Sequence, residues 1–252
     1  MAEKDFHLIY YITFGVPSIA ASQEMMRFYA RCGARYLQLD LPCRNPDPTI
    51  EKEYVINRMQ QALAACDDFQ LYLDAIAEVK AELPQLEIEM TLYEDTVAEL
   101  GAEALIAFAN EVGMTRLSWI TSRTNPDAAL LQKLRDARLQ ILHPVLFHLP
   151  QQEIDAAVRA AEPVILMLEG GEGNSEPPRK GCETVPQALA YLRECGAEGP
   201  ICVTMGIRTP QRVAQLREQG ADGAYIGSVL MKVWDNPAEL SRLIGEFEKA
   251  AR

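Results

Sequence analysis

The sequence predicts an α/β fold: a single (β/α)8 TIM barrel occupying residues 1–252 as one domain, with an extra helix after strand two and a mobile loop after strand six. Three observations carry this. Eight short apolar runs alternate with amphipathic helical patterns along the chain, an order that implies parallel strands joined by right-handed crossovers. The length of 252 residues is the usual size for such a barrel, about 250 residues. The last two units read strand, glycine, helix, strand, Gly-Ser, helix, which is how these barrels hold a phosphate.

Each element follows from its own pattern. The first strand is Leu8–Phe14, and the helix after it is Ala20–Cys32. The second strand, Tyr36–Leu41, is followed by a long segment from Pro42 to Pro84 with two helical patterns, Glu51–Cys66 and Phe69–Leu83. The additional helix inserts on the face where the strands end. Strand three is Glu87–Leu92 with helix Thr96–Glu111, and strand four is Arg116–Ile120 with helix Pro126–Ala137. Strand five is Leu139–Leu146 with helix Gln151–Ala160, and strand six is Pro163–Leu168. The 13 residues Glu169–Gly181 hold four glycines, two prolines and mixed charge. They form no packed element and suit a lid. Helix Val185–Cys195, strand Ile201–Val203, helix Pro210–Gln219 and strand Ala224–Ile226 complete the series.

Composition excludes several classes of function. A net charge of −12 offers no basic stripe to release counterions, so neither nucleic acid nor an anionic membrane is expected as a partner. No apolar run approaches the roughly 20 residues of a membrane span. The start MAEKDFHLIYY lacks an apolar signal core and a small-residue cleavage site, so a cytoplasmic protein is expected. The six cysteines are scattered without metal or redox spacing and read as reduced and structural. His143 and His148 lie in one apolar run, too far apart along a strand to make a compact metal pair, and read as barrel-wall residues. Neither a metal nor a cofactor is expected.

The segment from Pro200 to Lys232 points to a phosphorylated small-molecule ligand. Gly206 and Gly227 let the backbone approach phosphate oxygens, and Ser228 opens a helix whose first N–H groups face the anion. Arg208 stands beside this turn, placed either to add a charge-assisted contact or to lie on the helix surface.

Together these stretches resemble the tryptophan synthase alpha subunit family. YITFGVPS (Tyr11–Ser18) is similar to the family's first strand and turn, and LDLPCRNPDPTI (Leu39–Ile50) to a shortened form of its strand-two loop. EMTLY (Glu89–Tyr93) is similar to strand three, while MGIRTP and GADGAYIGSVLMK match the end of the barrel closely. The resemblance implies retro-aldol cleavage of indole-3-glycerol phosphate. In the family, a glutamate ending strand two moves protons and an aspartate in the next loop holds the indole N–H. It also implies a possible beta-type partner subunit.

The resemblance places Gln38 at the glutamate position, and an amide does not shuttle protons near neutral pH. Two carboxylates remain as candidates. Asp40 lies on the same side of the strand as Gln38, roughly 6.5 Å away. Asp47 precedes Pro48-Thr49-Ile50, much as the family's indole-binding aspartate precedes its own proline-threonine-isoleucine. Gln38, Asp40 and Asp47 are thus the candidate catalytic set, and Arg44, Arg123 and His148 bring further charge to the same mouth. Three readings stay open: a divergent indole-releasing lyase, a related barrel enzyme acting on another phosphorylated, non-indole substrate, and an inactive barrel that binds a phosphorylated ligand and regulates a beta-type partner.

Overall fold

The computed structural model describes residues 5–47, 51, 53–120, 127–168 and 176–252. It is a (β/α)8 barrel whose strands are all parallel and lie in the order β5-β4-β3-β2-β1-β9-β8-β7-β6. Among the described residues nine strands stand in place of the expected eight, because the fifth run is broken. It forms β5 (Gln140–Ile141), which pairs with β4 (Arg116–Ile120), and β6 (His143–Leu146), which pairs with β7 (Val164–Met167). Pro144 within β6 has no N–H to donate, which limits this stretch to partial pairing. The remaining strands are β1 (His7–Thr13), β2 (Tyr36–Asp40), β3 (Glu87–Tyr93), β8 (Ile201–Thr204) and β9 (Gly223–Ile226), within a residue or two of their predicted limits.

The helices are α1 (Ile19–Arg31), α2 (Glu53–Ala65), α3 (Phe69–Glu82), α4 (Glu94–Leu100), α5 (Ala102–Val112), α6 (Ala128–Asp136), α7 (Gln151–Ala160), α8 (Val185–Glu194), α9 (Pro210–Glu218), α10 (Ser228–Met231) and α11 (Pro237–Ala250). The two helices after β2 are present as expected. The single helix expected over Thr96–Glu111 is instead two, because Gly101 at φ 80° and ψ 148° leaves the helical region and ends α4. The lid expected over Glu169–Gly181 falls largely on residues 169–175, outside the described residues.

The chain divides into two compact units: Tyr11–Arg31 with Arg35–Ile141, and Met1–Tyr10 with Cys32–Ala34 and Leu142–Arg252. In the first, registration pairs Leu39 with Met90 and Met90 with Leu117 on one face of the sheet. All three are fully buried, each worth roughly 1.5–3 kcal/mol over exposure. The opposite face is polar: Gln38 pairs with Glu89, and Asp40 with Thr91. Such buried polar groups need partners, and those partners define the site. The turn after β1 packs tightly in this unit, with Gly15 at φ 98° donating its N–H to Ser22 Oγ at 2.9 Å. A Cβ there would stand 2.6 Å from Tyr72 and 2.9 Å from the Ala62 methyl.

In the second unit, α8 starts with a capping box between Thr184 and Gln187, and α9 with a Thr209 cap before Pro210. Leu166, Val203 and Ala224 fill its core.

Candidate functional site

Two layers of polar side chains stack along β2 and β3. In the lower one, Gln38 donates Nε2–H to Glu89 Oε1 at 2.9 Å, and the Arg116 guanidinium lies 3.9 Å from Glu89 Oε2. Gln38 therefore sits in a buried polar network, its amide committed to a carboxylate.

The upper layer holds the carboxyls whose ionisation is most perturbed. Asp40 is 1% exposed, and the Tyr11 hydroxyl from β1 donates to its Oδ2. Tyr93, at the end of β3, donates its hydroxyl to Glu51 Oε1 at 2.9 Å. Burial pushes the Asp40 carboxyl well above the usual carboxylate range, the nearby Glu51 charge pushes it further, and Tyr11 and Tyr93 offset part of the rise. Burial likewise raises Glu51, with Tyr93 acting the other way. Tyr11 and Tyr93 are both raised, first by burial and then by Asp40, so both stay protonated and able to donate. Two carboxyls that ionise reluctantly, each held by a phenol, are a pattern found where protons are taken up and returned.

A cavity of about 600 Å³ opens beside this pair, and Glu51, Tyr93 and Asp47 line it together with Trp119. Asp47 also accepts the Glu51 N–H on its main-chain carbonyl at 2.9 Å. Cys43 borders the cavity too, but burial first, and Asp95 next, push its thiol up to about 12, so it offers no thiolate.

The loop after β2 is held by α4. Asp95 Oδ2 accepts the N–H groups of Arg44 and Asn45, each at 3.0 Å, and Thr96 Oγ1 donates to Pro42 O at 2.9 Å. Burial raises the Asp95 carboxyl, yet hydrogen bonds from Cys43 and from main-chain N–H groups outweigh it and hold the group below the usual range. Arg44 bonds both Glu99 oxygens at 2.7 Å and lies over the Phe69 ring at 5.2 Å. It is thus a clamp on the loop's outer side, where the sequence suggested a cation for the mouth. Arg123 lies outside the described residues.

The turns expected from the sequence to bind an anion belong to the other unit. Gly206 is exposed at φ 71°, and Met205 before it is also left-handed at φ 66°, an unfavourable conformation for a residue with a side chain. Gly227 leads into α10, Ser228 is open to solvent, and Arg208 is exposed. His148 faces Glu176 at 3.6 Å. Among the described residues no cluster of three or more His, Cys, Asp or Glu side chains is placed to hold a metal ion.

The family model for the tryptophan synthase alpha chain matches residues 1–250. The chain belongs to the tryptophan synthase alpha chain family. It is 24% identical over 250 residues to the alpha chain of Shewanella oneidensis, covering 96% of this chain and 87% of that one. It is also 24% identical over 230 residues to the alpha chain of Arabidopsis thaliana, covering 90% and 80%. The fold is similar to that of a Mycobacterium tuberculosis tryptophan synthase structure, with a TM-score of 0.81 at 21% identity over 100% of this chain and 94% of that one. Tryptophan synthase alpha chains are lyases of tryptophan biosynthesis. No helix among the described residues is long and apolar enough to cross a membrane.

Within this alpha-chain fold, Asp40 and Asp47 lie in one unit with Gln38, but in three settings: Asp40 in the upper polar layer, Asp47 on the cavity wall, Gln38 in the layer below. Glu51, Tyr11 and Tyr93 were not singled out by the sequence. Alternation had marked the tyrosines: Tyr93 has the strand parity of Glu89 and Thr91, and Tyr11 that of Thr13. Glu51 carried no such signal, because its partner is 42 residues away.

Proposed function

We propose that this alpha-chain relative is a carbon–carbon lyase cleaving indole-3-glycerol phosphate, or a closely related phosphorylated substrate, by a retro-aldol reaction in which Asp40 replaces the family glutamate as proton acceptor. The observation that carries this reading is the buried Asp40 carboxyl, raised by burial and by Glu51 and oriented by Tyr11. Such a group is a carboxylate poised to hold a proton during turnover. Abstraction of the substrate hydroxyl proton lets the adjacent carbon–carbon bond break, leaving an aldehyde on the phosphorylated fragment, while the indole carbon takes up a proton. Asp47 on the cavity wall is the group assigned to the substrate N–H. Gly206, Gly227 and Ser228 supply main-chain donors for the phosphate, with Arg208 as added positive charge. Gln38 positions its layer through Glu89 and transfers no proton. A tryptophan synthase beta subunit is the partner this reading assigns, in the cytoplasm, without nucleic acid or membrane.

The test is indole release from indole-3-glycerol phosphate by the purified chain. Asp40→Asn is expected to lower kcat/KM by about 100-fold or more, and inorganic phosphate to raise the Tm of parent and variant alike. Activity that survives Asp40→Asn sinks the assignment. A parent silent toward the substrate, yet stabilised by phosphate, supports the ligand-binding, non-catalytic barrel instead.

A further inference from the structure

The Asp40 carboxyl is 1% exposed and is not among the groups lining the cavity, whereas Glu51 and Tyr93 are. A buried acceptor that takes a proton in each cycle needs a path for that proton to leave. Tyr11 occupies Asp40 Oδ2, and Oδ1 makes no direct hydrogen bond of ordinary length. Tyr93 is the neighbouring hydroxyl that still favours the Asp40 carboxylate, and its own proton already points at Glu51 Oε1, 2.9 Å away. Cys43, Val55, Met59 and Ile120 pack with the Tyr93 ring in one buried apolar cluster.

We propose that Tyr93 is a relay hydroxyl that carries a proton between buried Asp40 and cavity-facing Glu51, resetting Asp40 after each turnover. The proton on Asp40 Oδ1 passes to the Tyr93 oxygen as the Tyr93 proton passes to the Glu51 carboxylate. Two protons shift in concert for a net transfer of one, no electrons change hands, and Glu51 then exchanges with water in the cavity. The ionisable groups facing the relay are Tyr11 from β1, Asp40 from β2, Glu51 from the loop, and Cys43 with Asp95 at the loop's base. Tyr54, with Arg58 beside it, faces Glu51 from α2. Among these neighbours Tyr93 is the hydroxyl that both hydrogen-bonds Glu51 and favours the Asp40 carboxylate.

The proposal rests on Asp40 being the proton acceptor, but its decisive test needs no substrate. Protein carrying 13C-labelled aspartate is mixed rapidly from H2O into D2O at a pH where Asp40 is protonated. The deuterium shift of its carboxylic C=O stretch is then followed in time by infrared absorption. Tyr93→Phe and, independently, Glu51→Gln are each expected to slow that exchange by about tenfold or more. A purely structural Tyr93 would change the Tm and leave the exchange rate alone. Parental exchange in a folded Tyr93→Phe or Glu51→Gln protein overturns the relay. With indole-3-glycerol phosphate, Tyr93→Phe is expected to complete a first turnover at nearly the parental rate and then slow, with kcat and KM falling together and kcat/KM nearly unchanged. If the parent releases no indole, the functional reading has failed while the exchange measurement still decides the relay.

Discussion

Gln38 Nε2 donates to Glu89 Oε1 at 2.9 Å, inside a layer where both side chains are buried. The amide at this position is therefore an integral part of the fold: it is the donor that lets a buried carboxylate exist beneath the upper layer. Restoring the family's glutamate here brings two carboxyls into contact, with the Arg116 guanidinium 3.9 Å from Glu89 offsetting part of the repulsion.

Gln38→Glu is accordingly expected to destabilise the protein by about 2–3 kcal/mol near pH 7.5 without raising activity. Repulsion raises the folded-state pKa of the new pair above its unfolded value. Stability is then retained where the pair holds a proton and lost as pH climbs through the folded value, so the deficit should shrink as pH falls toward about 5. Urea unfolding at several pH values measures this, and a deficit that grows on acidification contradicts it.

Asp40 should leave a similar mark on the parent. Its folded pKa is raised by burial and by Glu51, so the native state holds a proton that the unfolded chain has released. Stability contributed by that proton is present below the unfolded value and lost as pH rises through the folded one, at about 1.4 kcal/mol for each unit between them. Asp40→Asn removes this dependence. The variant is expected to gain stability relative to the parent as pH rises, which paired denaturation curves at acidic and alkaline pH will reveal.

Gly15 is constrained twice, by a φ of 98° and by Tyr72 and Ala62 lying under 3 Å from any added Cβ. Gly15→Ala is expected to cost about 2–4 kcal/mol, read as a fall in the urea midpoint with an unchanged slope.

Met205 holds a left-handed conformation at φ 66° immediately before Gly206. Met205→Gly relieves a strain of about 1 kcal/mol, offset in part by the greater freedom of glycine in the unfolded chain. A net gain of about 0.5 kcal/mol is expected, with phosphate affinity lowered if the strain fixes the turn. Thermal unfolding with and without phosphate separates the two effects.

The barrel was legible because its strands are short apolar runs set apart by helical patterns, and these need only local sequence. Its exceptions have local physical causes that the periodicity passes over: Pro144 limits pairing in β6, and Gly101 divides α4 from α5. The site was legible in part. Strand parity put Gln38 and Asp40 on one side, but could not separate a committed amide from a reactive acid, since Glu89 makes that difference from the next strand. Glu51 acquires its character from burial beside Tyr93, a tertiary event with no local trace.

The grip of Asp95 on the loop after β2 has a consequence for how this surface can change. One carboxylate on α4 receives two successive main-chain N–H groups, and Thr96 secures Pro42 just upstream. Because main-chain groups are what Asp95 recognises, most side chains at positions 44 and 45 leave the anchorage intact. The side chains at positions 44 and 45 can thus be exchanged while the loop stays anchored at its base. Selection for new substrates can begin there with the scaffold left untouched.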